Sequence, residues 1–300
     1  MQCLMGARLR IVLLVAILLT YALCYAAIKA GLTWVPPLGF AAWRAFIAGI
    51  VLLGILLVRR ERMIPAHMDW PAILLLGFFA TTLTFGAMFL SPGRTSAGIA
   101  SVLGNMQALI TLALAAIFLG ERVTRGKMIA LGLGLLGVTL ITYPALTATD
   151  AYGISGAVLA LGASFAAATS NVLGKTMRLG QHVLAVTGWQ LLFGSMPLFA
   201  LSAFLERDVT IQWTPTFIGL LLFLALPGTA FAVAAWYWLL QSDDVGRLSL
   251  YFFLVPAMGV GLALLLGESL SLLEIGGAAL IVASAGAVYT SDSDPRAPAL

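Results

Sequence analysis

Long apolar runs separated by short polar gaps dominate the chain. A helix needs about 20 apolar residues to cross the hydrocarbon core of a bilayer. Ten stretches reach that length, roughly 9–30, 38–58, 70–90, 96–119, 127–143, 153–175, 183–205, 215–240, 246–267 and 271–290. The longest gaps fall near 59–69, 144–152 and 206–214, so no soluble domain fits between the runs. Lipid offers no partner for backbone N–H and C=O groups, so each span is predicted as a helix that satisfies them internally. A barrel would need alternating segments about half as long. Arg8 and Arg10 precede the first run as they would in a signal peptide, but this run is longer than a signal's apolar region and many similar runs follow. It is read as the first transmembrane helix. The tail 291–300 is polar and contains proline, which predicts a disordered segment.

Composition agrees with this pattern. Of 300 residues, 61% are apolar and 9% are charged, against about 25% charged in a soluble domain. A net charge of +4, dispersed along the chain, is no nucleic-acid footprint. Cys3 and Cys24 form no CxxC and no metal-ligand set, so no metal or other cofactor is expected. Lys and Arg in the loops set orientation. With the N-terminus in the cytoplasm, the inner side holds Arg8, Arg10, Arg59, Arg60, Arg62, Arg122, Arg125, Lys127, Lys175, Arg178, Arg247 and Arg296, and the outer side only Lys29, Arg94 and Arg207. Both termini are therefore expected in the cytoplasm.

The halves of the chain echo each other. Leu119-Gly120-Glu121 recurs as Leu266-Gly267-Glu268, Trp43-Arg44 as Trp189-Gln190, and Lys29 as Lys175, at offsets of 146 or 147 residues. Trp70-Pro71 has a looser echo in Trp213-Thr214-Pro215. These pairs suggest a duplication, with residues 1–147 as the first five-helix repeat and 148–290 as the second. An odd number of spans per repeat forces the second copy to enter the membrane upside down. The fold expected is all-α and polytopic: ten transmembrane helices as two inverted five-helix repeats around a central cavity, an arrangement common in secondary transporters.

The same residues carry a family resemblance. Thr20-Tyr21 through Lys29, Pro36-Pro37 and Ala42-Trp43-Arg44 resemble the opening of the drug/metabolite transporter superfamily in its EamA branch. Both Leu-Gly-Glu boxes follow long fourth and ninth helices, as in that family. Phe165, where the family often has Trp, and Tyr21, near its usual Trp, depart from the pattern where a cavity lining would vary. Within the branch the chain is most similar to aromatic amino-acid exporters. The resemblance implies ten helices, cytoplasmic termini, a central cavity and export of amino acids or related metabolites from the cell across the inner membrane.

Absences narrow the chemistry. All twelve Asp and Glu residues lie in loops, at span ends or in the tail, and His67 and His182 lie in inner loops. The chain therefore lacks a buried Asp pair, an HExxH motif, a membrane Ser–His dyad and a Walker A loop. No enzyme activity is expected. Proton coupling usually runs through a buried carboxylate or imidazole, and its absence points to facilitated, gradient-driven transport.

Polar residues inside the spans form stripes that suit a zwitterion with an apolar side chain. The expected substrate-binding residues are Tyr21, Tyr25, Thr82, Ser101, Asn105, Ser164, Asn171, Trp236 and Tyr251. A competing reading stands beside each. Asn105, Gln107 and Asn171 would also serve to tie helices. Trp236, Tyr237 and Trp238 fit an interfacial aromatic belt better than a binding wall. Thr and Ser often bond back to their own helix. Arg44 lies inside its span, where a guanidinium is costly unless paired. It either ties helices through carbonyls or attracts anions near the outer mouth. Lys29 and Lys175 are read as snorkelling, and Glu121 and Glu268 as capping or pairing at turns. Pro227, Gly228 and Pro256 are the expected hinges.

The partners expected are a small-molecule solute and the lipid bilayer, with no nucleic acid, and the chain is read as working as a monomer. Other solutes compatible with the pattern are purines, nucleotide sugars and neutral drugs. A lipid-processing membrane enzyme would need a His, Asp or Cys cluster near one interface, and none occurs. A scaffold would lack a solvent-accessible cavity.

Overall fold

The computed structural model describes residues 2–64, 69–91, 94, 97–146, 154–207, 210–265 and 271–291. Among these, helices dominate and no extended strand occurs. Ten helical segments stand where the apolar runs predict them: α1 (Gln2–Gly31), α2 (Pro37–Val58), α3 (Trp70–Leu90), α4 (Ala97–Leu119), α5 (Arg125–Leu146), α6 (Ile154–Thr176), α7 (Val183–Leu205), α8 (Pro215–Ser242), α9 (Val245–Leu250 and Leu254–Leu265, joined by the 3₁₀ turn Tyr251–Phe253) and α10 (Leu272–Ser291). Nine described helices are long and apolar enough to cross a bilayer, and α10 carries a shorter apolar stretch, Leu272–Val288. The tail beyond 291 and the second Leu-Gly-Glu box beyond Leu265 lie outside the described residues.

Local chemistry sets the helix ends. Prolines open α2 and α8 at their first positions, where the missing N–H has no partner to lose. Asp69 and Thr214 cap α3 and α8 by accepting from Ala72 N–H (3.1 Å) and Phe217 N–H (3.2 Å). Gly120, at φ +67°, closes α4 in the left-handed conformation that favours glycine.

The chain divides into two compact units, each drawing on both halves of the sequence. The first comprises residues 1–89 and 173–242, the second 90–172 and 243–300. In the first, α2 and α7 pack along their lengths. Gly39 lies against Ser202, Gly49 against Gly188 and Leu192, and Leu53 against Gly188. Leu56 shares a buried cluster with Ala185. Numbers rise along α2 as they fall along α7, so the two helices run antiparallel.

In the second unit α5 and α10 make the matching pair. A Cβ built on Gly137 would lie 2.6 Å from the Gly277 carbonyl oxygen, and one built on Gly277 would lie 2.6 Å from that of Gly137. Ser284 Oγ donates to the Ala130 carbonyl (2.7 Å). These contacts again run antiparallel. The core beside them gathers Ala108 and Leu112 from α4, Leu131 and Val138 from α5, Phe253 from α9 and Ile281 from α10. Glycines matter here because lipid supplies no hydrophobic drive between helices, and close backbone approach replaces it.

Candidate functional site

Two helices of the first unit break their regular winding at mid-length. In α3 the break is the π-helical turn Phe78–Leu83, and in α8 it is Leu226–Phe231. A π turn widens the ring and shifts carbonyls away from their usual donors. Threonine hydroxyls serve those carbonyls: Thr84 Oγ1 donates to Phe79 O (2.7 Å) and Thr229 Oγ1 to Leu224 O (2.8 Å), each five residues back. Pro227, which lacks an N–H, belongs to the second turn. The expected hinge at Pro227-Gly228 therefore coincides with an irregular turn.

Arg44 of α2 reaches that turn. Its Nε donates to Thr229 Oγ1 (2.6 Å) and its Nη2 to the Gly228 carbonyl (3.1 Å). The guanidinium lies 4.7 Å from the centre of the Phe85 ring and 5.9 Å from that of Phe89. Arg44 is only 2% exposed. Of its two sequence readings, this is the geometry of the helix tie. A Cβ built on Gly228 would lie 2.6 Å from Cys24 Sγ, so the turn has no room for a side chain there. The α3 turn meets α7 in a comparable way. Thr81 Oγ1 donates to Gln190 Oε1 (2.9 Å), and Thr82 Oγ1 to the Gly194 carbonyl (2.7 Å). Both threonines and Gln190 are buried.

Aromatic contacts follow the repeat. Trp43 meets Trp213 edge-on at 5.6 Å, and Trp189 meets Trp70 at 5.4 Å. Exchanging each tryptophan for its sequence counterpart turns one pair into the other. Phe199 extends the first group and Phe193 the second.

In the second unit Ser164 is buried, and its Oγ lies 2.7 Å and 2.8 Å from the carbonyls of Leu103 and Gly104, which ties α6 to α4 beside Asn105. Asn105 is half-buried and Asn171 is buried. Tyr251 packs beside the core at the 3₁₀ turn of α9. Pro256 follows three residues after Phe253, the end of that turn. It cannot donate to Phe252 O, which accounts for the tightened winding just before it. Glu121 accepts from Val245 N–H (2.6 Å) and Gly246 N–H (2.9 Å), capping α9. Lys127 Nζ donates to Asp244 Oδ2 (3.0 Å) at the same turn. The Leu-Gly-Glu box thus ends one helix and starts another. No group of three or more His, Cys, Asp or Glu that could hold a metal ion occurs among the described residues.

The profile of the EamA-like transporter family matches the chain twice, over residues 8–143 and 154–290. The chain belongs to the EamA-like transporter family. It is an integral, multi-pass membrane transporter. Two relatives carry the name "probable amino-acid metabolite efflux pump". One, from Salmonella typhimurium, is 30% identical over 89% of this chain and 90% of its own. The other, from Escherichia coli, is 28% identical over 90% and 91%. A protein from Archaeoglobus fulgidus, named as a transporter, is 27% identical over 87% and 92%. A solved crystal structure superposes with a TM-score of 0.80 over 93% of this chain and 96% of its own, at 16% identity. That likeness concerns the fold.

Within this EamA-type chain the predicted site residues separate by environment. Thr82 and Ser164 spend their hydroxyl protons on helix carbonyls. Tyr21, Asn105 and Tyr251 are half-buried. Trp236 and Tyr237 are buried, and Tyr237 packs on Gly174, so among the three aromatics only the exposed Trp238 fits the belt reading. The side chains of Tyr25 and Ser101 lie outside the described residues. Lys29 is exposed at its helix end, as snorkelling requires. Lys175 differs: its Nζ donates to the Leu240 carbonyl (2.6 Å) and holds the end of α8. Sequence reasoning passed over Glu206, whose carboxylate accepts from Leu38 and Gly39 N–H (2.8 and 3.0 Å) and from Ser202 Oγ (2.6 Å). It also used Gln190 only as a repeat marker and missed Thr229. The Trp43-Arg44/Trp189-Gln190 echo marks Gln190 as the counterpart of Arg44; it does not contain Thr229.

Proposed function

We propose that this protein exports amino acids, aromatic or otherwise apolar, or related small metabolites across the inner membrane by alternating access. Its ten spans form two inverted five-helix repeats, with both termini cytoplasmic and the monomer as the working unit. The observation that carries this reading is the exchange of repeat-equivalent residues in the packing. Trp43–Trp213 and Trp70–Trp189 are the same contact made twice. The equivalent helices α2 and α7 run antiparallel, and so do α5 and α10. Odd-numbered repeats entering the membrane in opposite senses produce this pattern, and two similar halves can then trade conformations.

The names of the two efflux-pump relatives support amino-acid metabolites as the solute class. Residues proposed to contact the solute are Tyr21, Tyr25, Ser101, Asn105, Asn171, Trp236 and Tyr251, where amide and hydroxyl groups would orient a zwitterion and rings would hold its side chain. Thr82 and Ser164 would contribute lone pairs only. Pro227, Gly228 and Pro256 are the proposed hinges. With no carboxylate or imidazole at the middle of any predicted span, the drive is the solute's own gradient.

Purified protein in liposomes, given a panel of amino acids and metabolites with and without a proton gradient, tests the reading. Saturable uptake of an apolar amino acid, unchanged by the proton gradient, is the expected result. No solute moving faster than in empty vesicles would overturn the transport reading, and strict dependence on the proton gradient would overturn facilitated diffusion.

A further inference from the structure

The first unit carries one mechanical device twice, with different chemistry at the two places. In each, a buried polar side chain follows a tryptophan on one helix and meets a threonine in the π-helical turn of another. Arg44 of α2 meets Thr229 in Leu226–Phe231, and Gln190 of α7 meets Thr81 in Phe78–Leu83. Arg44 and Gln190 are counterparts in the repeat, 146 residues apart, and Thr81 and Thr229 stand at matching places in their turns.

We propose that Phe78–Leu83 is a hinge paired with Leu226–Phe231, and that the Arg44/Gln190 difference makes the two unequal, so that the α3 turn opens first. The proposal rests on the alternating-access reading given above. No proline marks the α3 turn, and its irregular winding is visible only in the fold.

The inequality follows from the bonds. Arg44 gives the α8 turn two hydrogen bonds from one rigid charged fork, to Thr229 Oγ1 and the Gly228 carbonyl. Charge-assisted bonds are about twice as strong as neutral ones. Thr229 and Gly228 are adjacent, so the fork grips the turn at consecutive residues and holds its winding. Gln190 accepts one neutral bond from Thr81, and its Nε2 has no hydrogen-bond partner among the described residues. Thr82 adds a second neutral bond to the Gly194 carbonyl. A buried donor without a partner gains when movement brings it one, so the α3 turn loses less by opening.

Amide hydrogen exchange read by mass spectrometry on the full-length protein in lipid nanodiscs tests this. Peptides spanning 78–84 are expected to exchange about tenfold faster than those spanning 226–232. Equal rates, or the reverse order, would overturn the proposal. Thr229→Val keeps the volume and removes one of the two Arg44 acceptors, Thr229 Oγ1. It should speed exchange at 226–232 about tenfold while leaving 78–84 unchanged, and Thr229→Ser should restore the slow rate. No change at 226–232 in Thr229→Val would sink the latch. If that variant does not fold, Arg44→Lys, which keeps the charge and loses the fork, takes its place with the same two outcomes. The transport reading fails separately. A chain that moves no solute but keeps this order retains its hinges, and one that transports but exchanges both turns alike loses the hinges only.

Discussion

At the scale of single residues, charge in this protein works mainly at helix ends. Glu121 accepts from two buried first-turn N–H groups at the start of α9, where the helix dipole also favours a negative group. Removing it leaves two donors unsatisfied in a poorly solvated turn. Glu121→Ala is expected to cost about 2–3 kcal/mol, and Glu121→Gln, which keeps one acceptor oxygen, about 1 kcal/mol. Glu61 is the control. It is exposed and meets the exposed Arg59 at 3.7 Å, so Glu61→Ala should stay within about 0.5 kcal/mol. Thermal unfolding in detergent micelles measures all three. The capping role of Glu121 was legible from its place at a predicted helix end. Its partners, the first amides of α9, were not, and neither were the roles of Glu206 and Lys175, because in each case the partner lies on another helix far along the chain.

At the scale of helices, glycine position decides more than glycine number. Gly132 and Gly137 belong to one helix and differ in what surrounds them. No atom lies within 4 Å of a Cβ built on Gly132, while one on Gly137 meets the Gly277 carbonyl at 2.6 Å. Gly137→Ala should therefore destabilise by about 1–3 kcal/mol through overpacking. Gly132→Ala should stabilise by about 0.5–1 kcal/mol through helix propensity. The same melting experiment separates them, and equal effects would contradict the α5–α10 packing. Helix positions were legible because twenty-residue apolar runs have one physical use in lipid. The π turns were not: Phe78–Leu83 carries no proline or glycine to mark a break, and the partners of Thr81 and Thr82, Gln190 and the Gly194 carbonyl, lie on α7.

At the scale of the whole molecule, the family profile follows the sequence, with one match in each half, whereas compact packing draws on both halves in each unit. Orientation in the bilayer is a prediction at this scale. Reporter fusions near Arg60 and Arg178 should report the cytoplasm, and fusions near Glu206 the opposite side. A single side for all three would remove the inverted topology. The basis is the excess of Lys and Arg in alternate loops, which reflects the cost of moving basic loops across the membrane.

The sequence by itself determined the membrane class, the positions of the helices and the echo between the halves, because those depend on solvent and on local patterns. Tertiary structure decided which buried polar groups are spent on packing. Arg44, Thr82 and Ser164 are all polar residues within apolar spans, and the sequence names a partner for none of them. Each is held by a carbonyl or hydroxyl on another helix. A hydrogen-bond partner is a matter of distance and direction between helices, and spacing along a single helix does not contain it.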